Sequence, residues 1–134
     1  MNDVVKFLNE SSVQYFATVD KDGSPKVRPF QFMLEKEGKL FFCTSNQKEV
    51  YREIKNNPNV ELCASSPSYA WIRLSGKVVF SNDLNIKAEV IEHSPLVKSI
   101  YKTSDNPTFE IFYLEKAKAV IADFSGEPPR EYTL

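Results

Sequence analysis

KLFFCTSNQKEVYREIKNNPNVELC, Lys39 to Cys63, sets a strand-like run, a helix and a second strand-like run in direct succession. KLFFCTS (Lys39 to Ser45) is rich in β-formers and ends in two hydroxyl residues, Thr44 and Ser45. NQKEVYREIKNN (Asn46 to Asn57) then takes helical periodicity, with Gln47, Val50, Tyr51 and Ile54 on one face. Asn46 and Glu49 have the spacing of a capping box, and Pro58 stops the helix. NVELCAS (Asn59 to Ser65) is the second strand.

Working outward, YFATVD (Tyr15 to Asp20) reads as a strand and KDGSP (Lys21 to Pro25) as a turn, Asp-Gly being a hairpin signal. KVRPFQFML (Lys26 to Leu34) reads as a single second strand. Its Pro29 has no N–H to give a ladder, so an edge or a bulge is expected there. A turn at Glu37-Gly38 joins this strand to Lys39, making a three-stranded meander. Val4, Val5, Phe7 and Leu8 predict a short helix near residues 2–10. Downstream, YAWIRLSGKVVF (Tyr69 to Phe80) alternates: Ile72, Leu74, Val78 and Phe80 face one way, Trp71, Arg73, Ser75 and Lys77 the other. Helical signals return from Asn82 to Tyr101, broken at Ser94-Pro95. Thr108 to Phe124 reads as two strands hinged near Glu115-Lys116, and the tail SGEPPREYTL as turns lying over the domain. The expectation is a mostly β fold of six or seven strands with short helices, closed or split into a barrel so that few edges stay open.

With 134 residues, no internal repeat and no linker rich in Gly, Ser or Pro, the chain reads as one domain, residues 1–134. Its 42% apolar content, with 10 Phe and 6 Tyr, supports a real core. A net charge of −1 argues against nucleic-acid binding by bulk positive charge. No apolar run approaches the roughly 20 residues of a membrane span, and MNDVVKFLNE lacks a signal-peptide layout. Cys43 and Cys63 lie in strand-like runs and read as buried free thiols, which places the protein in a reducing compartment, the cytoplasm.

The densest local signal for chemistry is FFCTSNQKEV, Phe41 to Val50. Lys48 is expected in the first helical turn, where it is unfavourable by roughly 0.3–1 kcal/mol on its own and makes sense beside a bound anion such as phosphate. Ordinary N-capping with a solvated lysine is the alternative. Arg28 shares strand parity with Phe30 and Phe32, so its guanidinium either reaches an edge or meets an anion. Trp71 and Arg73, on the polar face of their strand, suit a subunit contact or a planar ligand, the alternative being an exposed Trp lying over a loop. His93 is the only histidine, which leaves no zinc cluster and no supported Ser–His–Asp triad; no metal site is expected. Neither G-x-G-x-x-G nor a Walker A motif occurs.

In their order, YFATVD, PKVRPFQFM, KLFFCTSNQKEVYREIKNNPNVELC, WIRLSGKVVF and AVIADFSGEP resemble the pyridoxamine 5'-phosphate oxidase-like, FMN-binding split-barrel family, in particular its short nitroimidazole-resistance-like or general flavin-binding members. The resemblance implies a six-stranded antiparallel split β-barrel and a homodimer holding two FMN molecules across its interface. It implies that Arg28 and Lys48 contact the FMN phosphate, with Thr44 and Ser45 adding hydroxyl and N–H donors. The backbone of Pro29, Phe30 and Gln31 would lie along the isoalloxazine. Trp71 stands where larger oxidases present a glutamine from the partner subunit, with Arg73 beside it. Those oxidases also carry a C-terminal arginine–x–histidine motif for their vitamin substrate; this chain ends PREYTL, with no histidine after His93. Other family members use deazaflavin or bind haem, and a lone histidine counts against haem.

The resulting expectation is an FMN-dependent oxidoreductase passing electrons from a small-molecule donor to a small organic acceptor, nitroaromatic or quinone-like. The isoalloxazine would carry the redox chemistry, so no catalytic side chain is named. The alternatives are a flavin store or sensor without turnover and a nucleic-acid-binding β-barrel using exposed aromatics.

Overall fold

The computed structural model describes all residues, Met1–Leu134. Helix α1 (Asn2–Glu10) leads into β1 (Gln14–Val19), β2 (Pro25–Phe30), β3 (Phe32–Lys36) and β4 (Lys39–Ser45). Helix α2 (Glu49–Asn56), β5 (Asn59–Ser65) and β6 (Trp71–Ser81) follow, then α3 (Leu84–His93), α4 (Pro95–Tyr101), β7 (Phe109–Ala122) and β8 (Arg130–Thr133). The strands form one antiparallel sheet in the order β2-β1-β5-β6-β7-β4-β3, with β8 paired to β7.

The two ends of that order, β2 and β3, are consecutive in the chain and separated only by Gln31. The stretch expected to be one strand therefore turns at Gln31 and serves both edges, which leaves the barrel split between them. Buried Gln14 laces this split. Its Nε2 donates to the carbonyls of Leu8 (2.9 Å) and Ser11 (3.0 Å), and its Oε1 accepts the Phe32 N–H at 2.7 Å. One side chain thus ties the end of α1, the start of β1 and the start of β3.

Eight strands form rather than the six of the family pattern or the six or seven expected from periodicity. The break at Gln31 adds one. The tail adds another: instead of lying as turns, it forms β8 against Lys118–Ile121 and is held to α1 by the Tyr132 hydroxyl, which donates to Asp3 Oδ2 at 3.0 Å. The two strands expected in Thr108 to Phe124 are one continuous β7, bulged where the hinge was expected. Lys116 takes φ 51°, and the pairing with β6 shifts between Ser75 and Lys77. Gly76 lies opposite that bulge, where a Cβ would sit 2.9 Å from Leu114 Cβ. Close approach of the two strands demands glycine there.

The main core packs Phe16, Phe30, Phe42 and Phe112 inside the barrel, with Phe16 stacked on Phe30 at 4.5 Å and Phe42 on Phe112 at 5.6 Å. A second cluster, including Met33, Phe41, Val97 and Tyr101, lies under α3 and α4. The thiols depart from expectation. Cys43 is half-buried, and Cys63 is exposed because it alternates with Leu62 and Ala64 and so points off the outer face of β5. No helix is long and apolar enough to cross a membrane.

Candidate functional site

A cavity of about 440 Å³ opens at the split. Pro29, Phe30 and Gln31, Cys43 and Thr44 of β4, and Lys48 line it, together with the mostly apolar Leu96, Val97, Ile100 and Tyr101 of α4. The volume lies in the range of about 300–1,000 Å³ usual for small-molecule sites. Lys48 is the only charged residue lining it.

Local structure explains how Lys48 comes to stand there. The helix starts later than the capping-box spacing suggests, at Glu49, because Asn46 is used elsewhere. Its side-chain amide donates to the Pro107 carbonyl (2.8 Å) and to Glu110 Oε2 (2.9 Å), fastening the end of β4 to the start of β7. Ser45 Oγ accepts the Gln47 N–H at 3.2 Å, and the Lys48 N–H closes a turn onto the Ser45 carbonyl at 3.1 Å. Lys48 itself becomes the N-cap, with extended backbone and no side-chain capping bond. The first-turn N–H groups of α2 therefore carry partial positive charge without a side-chain acceptor. Lys48 is exposed and takes part in none of the molecule's ion pairs.

Thr44, one of the lining residues, has a buried Oγ1 with no hydrogen-bond partner. Gln31, in no strand, makes none of the backbone hydrogen bonds found outside the helices and strands, so its N–H and C=O are free. The two weakly acidic groups of the lining stay neutral. Burial pushes the Cys43 thiol up to about 12, with Lys48 pulling the other way, and burial likewise pushes the Tyr101 phenol up to about 12. The cavity thus offers one cation, free peptide groups and an apolar wall, which suits a planar molecule carrying an anionic tail.

Of the residues singled out in the sequence, Pro29, Phe30, Gln31, Thr44 and Lys48 meet in this cavity, whereas Ser45, next to Thr44 in β4, is buried and not part of the lining. Arg28 does not reach it. Its guanidinium points toward α2, where Nη2 meets Glu53 Oε1 at 2.6 Å and Nη1 donates to Thr18 Oγ1 at 2.8 Å. The anion expected beside Arg28 is present, but it is a carboxylate of the same chain. Trp71 and Arg73 also stand apart from the cavity. Trp71 packs on the exposed Phe124 at 5.4 Å, and Arg73 pairs with Glu61 at 3.0 Å on the outer face of the sheet. His93 ends α3 and lies outside the lining.

The α4 wall was missed in the sequence, although a signal existed. In PLVKSIY, Leu96 and Ile100 are one turn apart and so are Val97 and Tyr101. A seven-residue helix with two apolar faces has one more than the core needs. Val97 and Tyr101 are buried, while Leu96 and Ile100 stay more than half exposed.

Residues 2–120 match the family model for pyridoxamine 5'-phosphate oxidase. The chain belongs to the pyridoxamine 5'-phosphate oxidase family. Among solved structures of that fold, it is similar to a NimC/NimA family protein from Clostridium acetobutylicum, with 34% identity and a TM-score of 0.93 over 100% of this chain and 92% of the other. General Stress Protein 26 from Bacillus anthracis matches with a TM-score of 0.80 at 17% identity, covering 99% and 97% of the two chains. A pyridoxamine 5'-phosphate oxidase-related, FMN-binding protein from Nostoc punctiforme matches with a TM-score of 0.72 at 18% identity, covering 95% and 82%. No curated protein matches the chain.

Proposed function

We propose that this protein binds FMN in the cavity at the split and works as an FMN-dependent oxidoreductase on a small organic acceptor, nitroaromatic or quinone-like. The observation that carries the reading is Lys48: an unpaired cation, alone among neutral lining residues, at the N-cap of α2. A phosphate there would receive the ammonium, the Thr44 and Ser45 hydroxyls and the uncapped N–H groups of α2. The free peptide groups of Gln31, with Pro29 and Phe30, would then face the edge of the isoalloxazine. The apolar residues of α4 would exclude water from it. The flavin, when bound, supplies the electron transfer; the protein's residues bind and orient it. The FMN-binding relative from Nostoc and the NimC/NimA relative support this reading.

The partner is a second copy of the chain. On the outer sheet face, register sets Pro29, Tyr15, Cys63 and Arg73 side by side in one row. Val27 at 67% and Tyr15 at 48% exposure leave this face apolar and open in a lone chain. The same face carries Arg73, which would bring it and Trp71 to the partner's cavity. Sedimentation at micromolar concentration should give twice the 15.3 kDa chain mass, and a monomer that keeps full FMN affinity refutes the shared site.

The absorption spectrum of the purified protein tests the cofactor, with flavin bands expected and a colourless protein that takes up no added FMN counting against it. Anaerobic mixing with NADH or NADPH, followed by an acceptor, separates an oxidoreductase from a flavin store. Bleaching and then reoxidation indicate turnover, and a flavin that stays yellow indicates storage.

A further inference from the structure

We infer that Arg28 is a positioning residue, which keeps α2 docked on the sheet by holding the Glu53 carboxylate and so sets where Lys48 stands over the cavity; the inference rests on the FMN reading above. Three acceptors take up its guanidinium: Glu53 Oε1 at 2.6 Å, Thr18 Oγ1 at 2.8 Å and the Phe16 carbonyl at 3.2 Å. Thr18 Oγ1 also donates to Glu53 Oε1 at 2.6 Å, closing a triangle among β1, β2 and α2. The Arg28 and Glu53 side chains are only 24% and 10% exposed. None of the three acceptors lines the cavity, so the guanidinium faces away from it.

Helix α2 needs such a fastening. It has eight residues, no side-chain cap at its start and two buried apolar anchors, Val50 and Ile54. A helix that short is not stable alone, so tertiary contacts decide its placement. Lys48 caps it, and Glu53 lies five residues on, about 7.5 Å along the axis at 1.5 Å per residue. A buried ion pair contributes little net stability, yet removing one partner strands the other charge. Without Arg28, the Glu53 carboxylate would move toward water and carry α2, and with it Lys48, away from the cavity.

This geometry separates positioning from direct phosphate binding. Arg28→Met alone strands Glu53, whereas Arg28→Met with Glu53→Leu removes both charges and leaves the Val50 and Ile54 packing to seat the helix. FMN and riboflavin are titrated into wild type, both variants and each in a Lys48→Ala background, with thermal melting as the check on folding. Positioning gives a loss of roughly tenfold in FMN affinity for Arg28→Met, recovery to within about threefold of wild type in the double variant, and little change for riboflavin. In the Lys48→Ala background Arg28→Met then costs nothing further. A double variant as weak for FMN as Arg28→Met, with riboflavin unaffected, makes Arg28 a phosphate ligand and overturns the inference. If Arg28→Met does not fold, the double variant against wild type decides by the same criterion. A wild type that binds FMN no better than riboflavin refutes the phosphate reading itself, and this inference with it.

Discussion

Lys48→Ala is the perturbation that bears most directly on the site. Lys48 is the only charge in the cavity lining and has no carboxylate partner, so nothing else in the molecule depends on its ammonium. A hydrogen bond to a charged group contributes roughly 1.5–3 kcal/mol, so losing one to the FMN phosphate should weaken binding about tenfold to a hundredfold. Riboflavin has the same ring and no phosphate, and its affinity should stay nearly constant. Stability should not fall: Lys48 is exposed, makes no capping bond and sits at the positive end of α2, where removing a cation is worth roughly 0.3–1 kcal/mol in the helix's favour. Quenching of flavin fluorescence gives both affinities, and thermal melting gives the stability. Equal losses for FMN and riboflavin, or no loss for either with a slight gain in melting temperature, would refute the assignment and return Lys48 to an ordinary solvated lysine before a helix.

Other expectations follow from the fold and its titrating groups. Gly76→Ala should destabilise by about 1–3 kcal/mol in urea unfolding, because a Cβ placed 2.9 Å from Leu114 Cβ and 3.3 Å from the Glu115 carbonyl must force β6 and β7 apart. Gln14→Leu matches the volume but abandons the Phe32 N–H and the carbonyls of Leu8 and Ser11; a loss of at least about 2 kcal/mol is expected, and a neutral result would mean the split needs no lacing. Native iodoacetamide labelling at neutral pH should spare Cys43, whose adduct appears in denaturant, whereas Cys63, exposed on the lone chain, should label only slowly while the proposed dimer covers its face. The folded state holds the Cys43 proton more tightly than the unfolded chain, at about 12 against an ordinary 9.0. Its contribution is therefore full below pH 9 and is lost as pH rises toward 12. Tyr101, raised from 10.0 to about 12, adds loss in the same direction, so the unfolding midpoint should drop on the alkaline side, less steeply in Cys43→Ala.

Much of the architecture was legible because it is written in local periodicity and punctuation. The strands Lys39–Ser45 and Asn59–Ser65 and the break at Ser94-Pro95 were read with the boundaries they have, each marked by a β-rich run, a proline or a cap. The cluster Pro29, Phe30, Gln31, Thr44 and Lys48 could also be proposed, through the resemblance carried by its motifs. Three features lay beyond a one-dimensional reading. The turn at Gln31 arises because β2 and β3 pair with strands at opposite ends of the sheet, and no propensity within Lys26 to Leu34 encodes where partners lie. The tail becomes β8 because β7 outruns β4 and leaves an edge to fill, an opportunity that exists only after the sheet has formed. The direction of Arg28 was decided in the same way. Parity put its guanidinium among aromatics and required an anion, but only the docking of α2 beside β1 supplied Glu53 at 2.6 Å, 25 residues away in sequence. Sequence set the demand for a counter-charge; tertiary packing chose which one met it.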